Sequence, residues 1–179
     1  MSEGYKKIYI LLTQFRDVGA KFIKFFSNCK YTHASIGLEE DMDKFYSFKL
    51  KGFKIESISR YLQSNHQPFK CCLYELNVLE SVYEKVKLKL QDFLVKKDKL
   101  SYSSLGLVLS FLKIPLKRKN HYFCSQFVAK VLKDSSAIKS KRPSTLFLPK
   151  HLGKLNNFKR CYSGDMYGLA TRYGLWRLV

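Results

Sequence analysis

The spacing of apolar positions divides the chain into stretches of two periods. Near the start, "KKIYILLT" is a β-prone run, and "QFRDVGAKFIKFFSN" after it places Phe15, Val18, Phe22 and Phe25 on one helical face. "THASIGLEE" and "KFYSFKL", separated by the acidic turn "EEDMD", read as an antiparallel pair, and "FKCCLYELNV" supplies a third strand after the polar "SNHQP". From Leu79 onward, Val82, Val86, Leu90 and Phe93 keep the spacing of an amphipathic helix about five turns long. "SYSSLGLVLSFLKIPLKRKN" begins with small polar residues, carries an apolar segment that Pro115 should stop, and ends in a basic loop. The next stretch, "YFCSQFVAKVL", repeats Phe127, Val128, Val131 and Leu132 at helical spacing. Beyond it, "KSKRPSTLFLPKHLGKLNN" and a tail rich in Tyr and Gly read mostly as turn and loop. The pattern predicts an α+β fold in one domain, residues 1–179, with strands clustered in the middle.

Composition agrees with a folded chain. Hydrophobic residues make up 46% of the 179, with 14 Phe and 12 Tyr, more than a disordered chain carries. The formal net charge is +19, a field that attracts anionic partners and leaves an anionic surface as one expected partner. The lysines of "YEKVKLKLQDFLVKKDK" nevertheless interleave with core positions as on a solvated face, and no recognition motif for nucleic acid accompanies the charge. The apolar run Ile8 to Leu12 is too short for the core of a signal peptide, and no segment reaches the length of a membrane span. A cytoplasmic protein with reduced cysteines is the expectation. The five cysteines, Cys29, Cys71, Cys72, Cys124 and Cys161, show no C-x-x-C spacing, so neither a disulfide scaffold nor a metal site is expected, and no cofactor. Cys71 and Cys72 are adjacent in a strand and should point to opposite faces.

Cys124 stands at the start of a predicted helix, where the aligned peptide dipoles lower a thiol's pKa, and a nearby histidine would lower it further. Four histidines are candidates. His66 and His151 lie in turn-like sequence, and His121 lies on the loop entering the cysteine helix. His33 opens a strand in which Ala34, Ile36 and Leu38 form one apolar face, leaving His33, Ser35 and Gly37 on the other. Two small residues beside the histidine would leave room for the helix that begins at Cys124.

"THASIGL" followed much later by "YFCSQFVAKVL" resembles the circularly permuted branch of the NlpC-type papain-like superfamily, which includes the YiiX-like proteins and the lecithin:retinol acyltransferase-like enzymes. In that branch the histidine strand precedes the nucleophile helix, as here. The resemblance runs from the first strand to about Pro149 and takes in "MDKFYSFKLKGFKIES" and "SYSSLGLV". It implies a permuted papain-like fold, a central antiparallel sheet with the nucleophile helix packed against it. It also implies Cys124 as nucleophile, His33 as general base and a third polar residue on the next strand that orients the imidazole. Ser47 occupies that stretch, with Glu56 and Glu39 as substitutes. The activity implied is a cysteine hydrolase of amidase or peptidase type, its substrate an amide or ester in a peptide, muropeptide or lipid. Two other readings share these residues: a non-catalytic basic module for anionic lipid, nucleic acid or polymer, and a lipid acyltransferase using the same Cys and His. Oligomeric state is silent in the sequence.

Overall fold

The structure is a computed structural model that describes residues 4–14, 30–64 and 69–175. The helix expected from Phe15 onward, together with Cys29 and His66, lies outside these residues.

Strands β1 (Tyr5–Thr13), β2 (His33–Leu38), β3 (Lys44–Lys49), β4 (Gly52–Ser57), β5 (Lys70–Leu79) and β8 (Lys159–Asp165) form one sheet. Its order is β4-β3-β2-β1-β5-β8, and every neighbouring pair is antiparallel. Strands β6 (Ser101–Tyr102) and β7 (His121–Tyr122) make a short parallel pair of their own. The helices among the described residues are α1 (Ile58–Ser64), α2 (Glu80–Val95), α3 (Ser104–Phe111), α4 (Cys124–Asp134), α5 (Pro149–Leu152) and α6 (Met166–Arg172).

The period-2 alternation of strands explains the layering. On one face, Ile8, Ile10 and Leu12 of β1 and Ala34, Ile36 and Leu38 of β2 meet Tyr83, Val86, Leu90 and Phe93 of α2 and Phe127, Val128, Val131 and Leu132 of α4. On the other face, Tyr9, Leu11, Cys71 and Leu73 meet Ile58 and Leu62 of α1 and Met166, Leu169 and Ala170 of α6. β1 is thus buried on both sides, which is why it reads as a continuous apolar run rather than an alternating one. Cys71 and Cys72 fall in different cores, as their adjacency in a strand requires.

α4 is pinned by aromatic packing. Phe127 lies 4.9 Å from Phe93, 5.2 Å from Phe48 and 5.6 Å from Phe53 between ring centroids. Burying one such ring contributes about 2–3 kcal/mol. At the start of α4, the Ser125 hydroxyl donates to the Phe147 carbonyl at 2.7 Å, tying the first turn to the loop before α5.

Two expectations are corrected. The C-terminal stretch expected as loop contains β8 and α6; β8 is an edge strand, largely exposed and polar, so it carries no apolar alternation to read. The second concerns the small residues of β2: α4 packs on Ala34, Ile36 and Leu38, not on the side of Ser35 and Gly37. Gly37 instead makes room for the ring of buried Phe45, its register partner on β3. A Cβ at position 37 would stand 2.8 Å from a Phe45 ring carbon. Gly37→Ala is therefore expected to cost about 1–3 kcal/mol through overpacking, measured by urea unfolding; an unchanged midpoint would mean that the ring has space to turn.

Candidate active site

His33 is the first residue of β2 and Cys124 the first of α4. By alternation His33 belongs to the face opposite α4, so the two side chains meet at the ends of their elements rather than across the sheet–helix interface. They are hydrogen-bonded to each other, and the sulfur also receives the backbone amides of Ala34 and Ser125. Residue 123 is a phenylalanine and offers no side-chain cap to the helix. Gln126 satisfies only the amide that precedes the helix, its Oε1 accepting from Phe123 N at 3.3 Å. The first turn thus presents the Ser125 amide toward the sulfur, as a helix N-terminus does toward an anion, and the start of β2 adds the Ala34 amide.

On its other side His33 is held by Glu56. Nε2 lies 2.8 Å from Glu56 Oε1, which leaves Nδ1 for the sulfur. Glu56 reaches this position through the β3–β4 hairpin, where it pairs with Phe45 and so shares a face with Ser47. The Ser47 hydroxyl donates to the same Oε1 at 2.5 Å. Ser47, the first choice for the orienting role, therefore stands behind the carboxylate that faces His33, and Glu56, its substitute, occupies the front position. Glu39 sits at the far end of β2 with Lys6 and with the amide of Lys7. Lys49 places its ammonium 3.3 Å from Glu56 Oε1, bonds the Tyr61 hydroxyl and lies over that ring. No sequence pattern pointed to Lys49 or Tyr61, because α1, which carries Tyr61, is too short to show periodicity.

The charges reinforce one another. Burial opposes ionisation of His33, but the Glu56 charge, with hydrogen bonds to Cys124 and Glu56, overrides it and raises the imidazole pKa to about 10. Burial likewise pushes the Glu56 carboxyl up, yet His33⁺ first, then Lys49 and Ser47, bring it down to about 2. For Cys124, burial raises the thiol, while the hydrogen bond and charge of His33 and the two backbone amides give a net lowering. Thiolate, imidazolium, carboxylate and ammonium alternate in sign across the site, so the cluster as a whole is neutral. Both side chains are nevertheless deep: Cys124 is 2% exposed and His33 5%.

The other two described histidines are held in structural hydrogen bonds. His121 Nδ1 donates to the Lys119 carbonyl at 2.8 Å, and His151 Nδ1 accepts from the Leu148 amide at 3.0 Å, capping α5. Burial, then Arg142 and Lys150, lowers the His151 pKa to about 4, consistent with an acceptor nitrogen. Burial raises the thiols of Cys71, to about 12, and Cys161. Among the described thiols, Cys124 is the one with both a histidine and a helix start beside it.

Sheet, helix layers and the position of the cysteine helix define an α+β fold of the YiiX kind. One structural neighbour is the crystal structure of YiiX from Escherichia coli O157:H7, described as a metalloprotein. The two superpose with a TM-score of 0.61 over 89% of this chain and 97% of that one. Sequence identity is 13%, so the likeness is one of fold. No family model and no curated protein matches the sequence.

Proposed function

We propose that the protein is a papain-like cysteine hydrolase of amidase or peptidase type, acting through a thioester on Cys124. The observation that carries this reading is the bonded series Cys124, His33, Glu56, with a helix N-terminus at the sulfur. The thiolate attacks a carbonyl carbon, and the oxygen that takes up the electron pair is stabilised by amides of the first turn of α4. His33 then gives its Nδ1 proton to the departing amine or alcohol, leaving the acyl group on sulfur. Neutral His33 next takes a proton from water, whose oxygen attacks the thioester; the acid is released and the thiolate–imidazolium pair restored. Glu56 holds the ring so that Nδ1 faces the sulfur and balances the imidazolium charge, and Ser47 and Lys49 hold Glu56. Peptides, muropeptides and lipids all carry the required amide or ester carbonyl.

The metalloprotein description belongs to the neighbour. Among the described residues of this chain no group of three or more His, Cys, Asp or Glu could hold a metal ion, and the His33 and Glu56 donors face each other. The described donor set does not fit a metal.

The 2% exposure of Cys124 favours a second reading, a basic binding module that keeps the fold without turnover. Acyl capture separates the two. With p-nitrophenyl acetate the hydrolase reading expects nitrophenolate release and one acetyl group mapped to the Cys124 peptide, absent in Cys124→Ala. Acetylation confined to lysines, and unchanged in that variant, favours the binding module.

A further inference from the structure

Helix α3 carries no charged residue, and it is apolar on two sides. Its inner side, Gly106, Leu107 and Ser110, is buried, with Leu107 packed in a small cluster with Phe123 and Leu148. The Ser110 hydroxyl turns back onto the Leu107 carbonyl at 2.6 Å, so it adds no polarity. The outer side repeats at i, i+3 and i+7: Leu105, Val108 and Leu112 are 53%, 39% and 64% exposed. Helices that are apolar all round are normally enclosed; this one lies on the surface.

The chain leaves α3 by an ordered turn. Lys113 has a φ of 60°, its amide bonds the Ser110 carbonyl, and the Ile114 amide reaches back to Leu109. This is the Schellman arrangement, in which Ile114 would ordinarily fold onto the helix. Here Ile114 stays 49% exposed and extends the apolar side. Lys113, Lys117, Arg118 and Lys119 follow, all exposed, and none forms an ion pair with a described residue. Between Asp98 and Asp134 the sequence has no acidic residue at all.

We infer that α3 and residues 112–119 form a docking surface for an anionic lipid bilayer. The apolar side enters the headgroup–acyl boundary while the four cations contact lipid phosphates, the division of labour of an interfacial amphipathic element. Charge selects this occupant. A second copy of the chain on the same face would bring its own four cations against these with no carboxylate between them. A nucleic acid would satisfy the cations but leave Leu105, Leu112 and Ile114 in water. No described helix is long and apolar enough to cross a membrane. The docking surface also stands independently of any chemistry at Cys124, although the inner side of α3 packs on Phe123, the residue before that cysteine.

Cosedimentation of the full chain with phosphatidylcholine vesicles, with and without phosphatidylglycerol, tests the inference. Binding is expected to the mixed vesicles. The charge-neutral pair Leu112→Ser/Ile114→Ser should weaken it at least about tenfold, and Lys117→Gln/Arg118→Gln/Lys119→Gln by about fivefold for each cation removed. Lys85→Gln/Lys89→Gln/Lys141→Gln, an equal loss of charge elsewhere on the exposed surface, should cost much less. Thermal melts of each variant confirm folding. Absence of vesicle binding by the wild type overturns the inference. So does equal weakening by both triple variants, or wild-type binding by the Leu112→Ser/Ile114→Ser variant, since net charge alone would then be responsible. A dimer in sedimentation velocity that Leu112→Ser/Ile114→Ser disperses would assign the face to self-association instead.

Discussion

Replacing His33 with alanine is expected to slow alkylation of Cys124 by iodoacetamide at pH 7 by up to about thirtyfold, because only the thiolate reacts and an unassisted thiol is only about 3% ionised there. Two results make this sharper than an ordinary test of a reactive cysteine. First, exposure and reactivity should run in opposite orders. Cys161 is the most exposed of the four described thiols, yet burial raises its pKa and its Sγ donates to the Leu73 carbonyl; Cys124 is 2% exposed and its thiol is lowered. Cys124 should nevertheless be labelled first. Second, the pH profile should move. In the wild type, labelling of Cys124 begins below the ordinary thiol range of about 9, since His33⁺ stabilises the thiolate. In His33→Ala the charge and hydrogen bond of the imidazole are gone while burial still opposes ionisation, and labelling should begin at a higher pH than in the wild type. Uniform slow labelling of all the thiols, unaffected by the substitution, would remove the basis for Cys124 as a nucleophile.

The two ends of this pair were legible because each is marked by a strong local pattern. Phe127, Val128, Val131 and Leu132 define a helix whose first residue is Cys124, and Ala34, Ile36 and Leu38 define a strand that His33 opens. The partner of His33 was legible only as one of three choices, since it depends on hairpin register, which local pattern does not give. "GFKIES" alternates poorly: Lys54 and Ile55 are both exposed, and Glu56, which looks like a surface residue, is buried. Only the pairing of Glu56 with Phe45 turns its carboxylate toward Ser47 and His33. β2 failed in a different way. Its polar face was read as the seat of the cysteine helix because small residues imply close approach, and the approach is real, but the ring of Phe45 makes it. α3 was read as an apolar segment stopped by Pro115; its actual stop is the left-handed Lys113, two residues earlier, a position with no glycine to announce it.

Removing the carboxylate of Glu56 should have the largest effect on stability. Glu56→Ala leaves the His33 imidazole and the Ser47 hydroxyl buried without their acceptor, a break in a buried ion pair that costs about 3–5 kcal/mol and about 10 °C in Tm for a chain of this size. Glu56→Gln keeps the volume and an acceptor oxygen, so it should cost less, while burial then returns His33 to the neutral form and Cys124 to the thiol. Ser47→Ala removes one of several bonds to Glu56 and should cost only about 1 kcal/mol. The pH dependence distinguishes an ionic role from simple packing. Glu56 is lowered from 4.5 to about 2, so its contribution is complete above 4.5 and is lost as pH falls through 2. His33 is raised from 6.5 to about 10, so its contribution is complete below 6.5 and is lost as pH rises through 10. These shifts describe one interaction from its two sides, and both contributions are complete only between 4.5 and 6.5. The stability difference between wild type and Glu56→Gln, from urea unfolding, should peak in that window and shrink toward either extreme. Subtracting the variant cancels the titration of the many surface lysines, which the substitution leaves untouched. A difference that stays constant from pH 5 to pH 10 would mean that Glu56 is held for its shape, and the positioning role assigned to its charge would fall with it.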